Sequence, residues 1–95
     1  MTYYVYIMAT GYNGTFYVGM TSNLPRRIWE HKEGVVDGFT KKYDVHRLVY
    51  FEMHSDVQEA IRREKSIKRW GRAMKISAIE RKNPYWEDLY STLNT

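Results

Sequence analysis

Tyr17 ends a β-type run, and the next helical run carries Arg27 and His31 one turn apart. A guanidinium fork binds phosphate oxygens bidentately, and an imidazole moves protons near neutral pH. Tyr6 and Tyr17 belong to the two arms of one hairpin, so their hydroxyls can meet on one face if the register allows. Glu64 falls within the apolar stripe of a later helix. A carboxylate is a hard oxygen ligand for a divalent cation. Together these residue types are those of a site that cuts phosphodiester bonds.

Each residue also has a plainer reading. At about 100° per residue, Leu24 and Ile28 set the buried stripe of the first helix. Arg27 lies about 60° from Leu24 and His31 about 20°, whereas Arg26, Glu30 and Glu33 are expected to point away. Arg27 could simply lay its stem along the surface, and His31 could be a core histidine bonded to a carbonyl. In the later helix the inward stripe reads Val57, Ala60, Ile61, Glu64, Ile67, Lys68. A buried carboxylate without a partner costs several kcal/mol. Its partner is either Lys68, four residues on, or a cation completed by substrate phosphate and water. Of the nine tyrosines, Tyr3, Tyr4, Tyr12, Tyr50, Tyr85 and Tyr90 are read as packing or surface residues.

The elements that must position these groups follow from local signals. Tyr3–Ala9 reads as a strand, the Asn13-Gly14 pair as a turn, and Thr15–Met20 as the returning strand. Asn23 caps a helix with Pro25 in its first turn, running to Glu33 and stopping at Gly34. A loop with Gly38 and the pair Lys41-Lys42 leads to a third strand, Arg47–Glu52. Ser55 or Asp56 caps a helix to about Trp70, and Gly71 separates it from a helix over Arg72–Arg81. Asn83-Pro84 ends that helix, and Tyr85–Tyr90 closes the chain with an acidic first turn. The order β-β-α-β-α-α predicts an α+β fold: a small three-stranded antiparallel sheet flanked by helices, as one domain over residues 1–95.

Composition bounds the function. The chain has 95 residues, no cysteine, 43% hydrophobic and 16% aromatic residues. That suffices for one core and excludes disorder, a disulfide framework and thiolate metal sites. No stretch reaches the ~20 apolar residues that span a bilayer, and Met1–Met8 lacks a basic lead and cleavage site, so no signal peptide is read. The expectation is a cytoplasmic protein. Residues 62–82 hold nine Lys/Arg against Glu64 and Glu80, a local +7 in a chain of net +4, so the remainder carries −3. Such a block suits a polyanion, because each neutralised phosphate releases counterions. It is otherwise a solvated basic face. Lys41, Lys42, Arg63, Lys65, Lys68, Arg69 and Arg72 are the candidate nucleic-acid contacts.

On these residues the chain resembles the GIY-YIG nuclease superfamily. The first motif stands as Tyr4-Val5-Tyr6 and the second as Tyr17-Val18-Gly19. The run FYVGMTSNLPRRIWEHK places the family arginine at Arg27 and its frequent histidine at His31. Glu64, within EAIRREKSIKRW, falls where the metal-binding glutamate belongs, and GFTKKY and NPYWEDL resemble the small stand-alone bacterial branch. The match runs from Tyr3 to about Leu89. Two positions depart from the pattern: Tyr4 replaces the first motif's glycine, and Met20 stands where some members carry a lysine that lowers a tyrosine pKa.

The resemblance implies an endonuclease acting on nucleic acid, DNA rather than RNA, in repair or recombination, with one Mg²⁺ or Mn²⁺ held by Glu64. Tyr17 or Tyr6 would be, or relay to, the base that deprotonates water, Arg27 would hold the scissile phosphate, and His31 would assist proton transfer. Free tyrosine titrates near pH ~10, so metal and Arg27 must favour its anion. The catalytic fold fills nearly the whole chain, so specificity would come from a protein partner or a homo-oligomer. The alternative is a nucleic-acid-binding module that kept the fold without catalysis. A domain with no nucleic-acid role is disfavoured by the basic segment.

Overall fold

The computed structural model describes residues 1–12, 14–35 and 42–94. Asn13, Gly38 and Lys41 lie outside the described residues. Strands β1 (Tyr3–Ala9), β2 (Phe16–Thr21) and β3 (Arg47–His54) form one antiparallel sheet in the order β2-β1-β3. Helices α1 (Leu24–Glu33), α2 (Val57–Arg69) and α3 (Arg72–Lys82) flank it, and a 3₁₀ helix spans Leu89–Asn94. The predicted β-β-α-β-α-α order is the observed one.

β1 is the central strand and its last five residues, Val5–Ala9, are all buried. A strand covered on both faces needs apolar groups on both sides of its pleat, and here Tyr6 is the polar exception. Tyr6 and Met8 point into a core with Leu24, Ile28, Val45 and Leu48 under α1. Val5, Ile7 and Ala9 point into the other core, with Ala60, Ile67, Ile79 and Trp86 under α2 and α3. The helices therefore occupy two layers, with α1 on one side of the sheet and α2–α3 on the other.

Capping explains the start and stop of α1. The Asn23 side chain accepts from the Arg26 N–H, Pro25 sits in the first turn, and Gly34 closes the helix at φ 72°. Asp56, rather than Ser55, caps α2 through the Gln58 N–H. β2 runs one residue later than its pattern suggested, and β3 extends two residues past Glu52.

That extension creates a joint the sequence reading passed over. Tyr50, Glu52 and His54 alternate along β3 and so share a face. Glu52 accepts from the Tyr50 hydroxyl, from His54 Nε2 at 2.6 Å and from Arg63 Nε of α2 at 2.8 Å. Tyr50, read as a packing or surface residue, does pack in the core, and its hydroxyl adds a polar bond in this joint. Burial alone would raise the Glu52 carboxyl, but the hydrogen bonds from Tyr50, Arg63 and His54 carry it below the usual range. Burial and the neighbouring carboxylate push the Tyr50 phenol up.

A group with a depressed folded-state pKa stabilises above its unfolded value, near pH ~4, and loses that contribution as pH falls through the folded value. Glu52→Gln is therefore expected to lower Tm at pH 7 while narrowing its deficit against wild type below pH ~4. Thermal melts across pH 2–7 check this; a Tm deficit independent of pH would show that the charge of Glu52 is not what stabilises.

The C-terminal segment is a structural part of both layers. Trp86, fully buried, adopts φ 56°, a conformation costly for a bulky residue, and is fixed by Nε1–H donating to Glu80 at 2.8 Å. Asn83 Nδ2 donates to the carbonyls of Val49 and Glu87, and its Oδ1 accepts from the Glu87 N–H. Asp88 accepts from Lys32 at 2.5 Å and from the Leu48 and Tyr90 N–H groups. Leu89, Tyr90 and Leu93 then pack under α1.

Candidate active site

The hairpin register, open from sequence, sets Tyr6 opposite Gly19 and Met8 opposite Tyr17. Residues directly opposite share a face, so Tyr6, Tyr17 and Gly19 all look toward α1. The Tyr6 ring crosses Gly19: a Cβ there would lie 2.5 Å from the Tyr6 hydroxyl oxygen and 2.6 Å from Cζ. Gly19 is thus required by close approach, and the approach carries the Tyr6 hydroxyl toward the neighbouring strand and α1.

There it meets His31. The Tyr6 hydroxyl and His31 Nε2 share a buried hydrogen bond of 2.9 Å. The Tyr17 ring centroid lies 5.0 Å from that of His31 and 6.3 Å from that of Tyr6. His31 is only 4% exposed. Two phenols and an imidazole are packed among the buried Met8, Leu24, Ile28, Val45 and Leu48, with Tyr4 and Tyr90 at the margin of the same layer. A hydrogen-bonded phenol–imidazole pair can pass a proton between oxygen and nitrogen.

Arg27 takes a different position. It is on the rim, with its side chain 42% exposed and Nε 3.6 Å from Glu30 Oε1. Glu30, expected to point away, is half-buried and also pairs with Arg26 at 3.2 Å. It is screened from solvent on the rim because both arginines reach it from its own helix. Thr21, Ser22, Asn23, Arg26, Arg27 and Glu30 line a hollow of about 170 Å³ at the end of β2 and the start of α1. Arg27 is therefore available to an incoming anion, which would compete with Glu30.

Glu64 comes from α2, in the layer across the sheet. Its side chain is 22% exposed and pairs with Lys68 at 3.5 Å. Lys68 is not inward as the stripe suggested: its side chain is 54% exposed. Arg63, one residue earlier, reaches β3 through Glu52. At 100° per residue on a stripe centred on Ala60 and Ile67, Glu64 takes the other flank, toward edge strand β2. Tyr6, Tyr17 and His31 are thus brought together, Arg27 borders them on the same helix as His31, and Glu64 stands apart on α2, on the flank toward β2.

The basic candidates divide. Arg63 is engaged with Glu52, and its guanidinium lies 4.9 Å from the Trp70 ring centroid. Arg72 donates to the Gly14 carbonyl at 2.7 Å and covers the Phe16 ring. Lys42 lies over the Tyr43 ring at 5.4 Å. Lys65 and Arg69 are exposed on α2, and Lys41 falls outside the described residues.

The sequence pattern described as the GIY-YIG catalytic domain matches residues 2–77. The chain belongs to the GIY-YIG family. That places it in a nuclease family, whose domain acts on nucleic acid and generally uses a divalent metal. The GIY-YIG chain is 41% identical to a UPF0213 protein of Staphylococcus haemolyticus over 78 residues, 82% of this chain and 94% of the relative. It is 34% identical to a UPF0213 protein of Clostridium perfringens over 91 residues, 96% of this chain and 97% of the relative. The solution NMR structure of a UPF0213 protein from Bacillus halodurans superposes with a TM-score of 0.57 at 31% identity, covering 93% of each chain. Among the described residues no helix is long and apolar enough to cross a membrane, and no group of three or more His, Cys, Asp or Glu gathers as a ready-made metal cage. Within this GIY-YIG domain the Glu64 carboxylate is partly exposed, and among the described residues its ion pair is with the exposed Lys68.

Proposed function

We propose that this protein is a metal-dependent endonuclease that hydrolyses phosphodiester bonds of nucleic acid, DNA rather than RNA. The observation that carries the reading is the packing of Tyr6, Tyr17 and His31 against Gly19. Three polar rings in an apolar layer weaken a purely structural role, since aliphatic side chains would fill the same space without polar atoms to satisfy.

The scissile phosphate would enter at the β2 edge. Arg27 exchanges Glu30 for the phosphate oxygens and stabilises the charge that builds up on them. Tyr17, beside His31 and ionised to its phenolate, takes the proton of the attacking water, directly or through the Tyr6–His31 pair. Glu64 would hold Mg²⁺ or Mn²⁺ weakly, with substrate supplying further ligands. When bound, the ion supplies Lewis-acid stabilisation of the phosphate and the leaving oxygen. With Met20 in place of a lysine, proton removal depends on His31 and on the local charge. Target choice would come from a protein partner or a homo-oligomer, and a cytoplasmic role in repair or recombination fits this chemistry.

The test uses labelled single-stranded, duplex and branched DNA with Mn²⁺, alongside Glu64→Ala and a chelator control. Cleavage is expected only with the ion and to fall by about 10²-fold or more in the variant. Cleavage surviving both treatments would mark a contaminant. Salt-sensitive binding without cleavage would instead support the non-catalytic module.

A further inference from the structure

On the layer opposite Tyr6, Tyr17 and His31, the outer face of α2 presents Arg62, Lys65 and Arg69 beside Ser66 and Trp70 around a hollow of about 440 Å³. These cations lie about 140–200° from the stripe that packs on the sheet, so they face straight outward. Trp70 also lines a second hollow, of about 300 Å³, with Arg63, Arg81 and Lys82. The indole thus separates two basic depressions. Among the described residues Arg62, Lys65, Arg69 and Arg81 have no ion-pair partner, whereas Arg26, Arg27, Lys32, Arg63 and Lys68 each have one. Internal carboxylates therefore leave this face unneutralised.

We propose that this face is a second binding surface, separate from the cleavage site, that holds a single strand of DNA. Arg62, Lys65 and Arg69 take successive phosphates, and an unstacked base packs against the accessible part of Trp70. The occupant follows from charge and shape: unpaired guanidinium and ammonium groups recognise phosphates, and an aromatic ring among them accepts the face of any base. A duplex keeps its bases stacked and offers Trp70 nothing. The choice of DNA rests on the endonuclease reading. The surface lies on the other layer from the tyrosine cluster, so a substrate using both must pass around an edge of the sheet, which a flexible strand or a branched junction can do and a straight duplex cannot.

Fluorescence anisotropy with labelled oligonucleotides, in a Glu64→Gln background at several salt concentrations, tests this. Combined Arg62→Ala, Lys65→Ala and Arg69→Ala should weaken single-strand binding about tenfold or more and reduce the log–log salt slope by about 2. The charge-keeping set Arg62→Lys, Lys65→Arg and Arg69→Lys should restore both. These side chains are exposed, so the fold should persist, checked by circular dichroism. Trp70→Phe should retain more affinity than Trp70→Leu. An unchanged salt slope in the alanine set, tighter binding to duplex than to single strand, or binding only to RNA or to anionic vesicles would each overturn the proposal. Loss of binding in the alanine set, in a protein whose wild type never cleaves, would sink the endonuclease reading and leave this surface standing.

Discussion

Arg27→Ala is expected to slow strand cleavage by about 10²–10³-fold while leaving the fold intact. The rate loss is the scale seen when one preorganised donor to a developing anion is removed. The stability forecast comes from the position of Arg27. Its side chain is 42% exposed and its ion pair with Glu30 is a rim contact at 3.6 Å, a class worth about 0–1 kcal/mol. Glu30 keeps Arg26 as a partner after the change. Arg27→Lys should recover only part of the rate, because an ammonium supplies the charge without the planar fork. Single-turnover cleavage with Mn²⁺ and a thermal melt separate the two effects. A rate within threefold of wild type would remove Arg27 from the mechanism, and a large drop in Tm would make its role structural.

The second large effect is expected from a single methyl group at position 19. In Gly19→Ala the new Cβ falls 2.5 Å from the Tyr6 hydroxyl oxygen, 2.6 Å from Cζ and 3.1 Å from Tyr17 Cε2. Tyr6 is 2% exposed and is held by His31, so its ring has nowhere to withdraw. Overpacking of this kind costs about 1–3 kcal/mol, and displacing the ring also breaks the Tyr6–His31 hydrogen bond, worth about 1 kcal/mol. For a domain of this size each kcal/mol lowers Tm by roughly 4–8 °C. Cleavage should fall by about 10²-fold, since misplacing a reacting group by 1 Å has that order of effect. Gly11→Ala is the comparison: nothing lies within 4 Å of a Cβ there, so it should leave Tm and rate essentially unchanged. A Gly19→Ala protein with wild-type Tm would mean that the Tyr6 ring does not lie across Gly19.

The elements were legible where the signal is local. Asn23, Pro25 and Gly34 mark α1 by capping chemistry, and both of its predicted ends hold. β1 matches its predicted span because an apolar run of β-formers needs no tertiary information. Tyr4-Val5-Tyr6 and Tyr17-Val18-Gly19, with Arg27, pointed to the family that residues 2–77 match. What sequence withheld is relational. Which tyrosine faces Gly19 depends on register, and register depends on a hairpin whose length was ambiguous. Glu30 is screened on the rim because Arg26 and Arg27 both reach it, a competition no helical wheel contains. The Glu52 joint did leave a trace, polar groups at positions 50, 52 and 54, but its partner Arg63 sits on another element. Trp86 could not be placed at all from pattern, because its left-handed backbone is imposed by the pocket it fills.

The path of residues 83–93 also ties the fates of the two layers together. Trp86 completes the core under α2 and α3, while Asp88 and Leu89 reach across to Lys32, Leu48 and the α1 layer. One stretch of chain thus closes both cores. Peeling it away would uncover both at once, so the two layers are expected to melt as one cooperative unit.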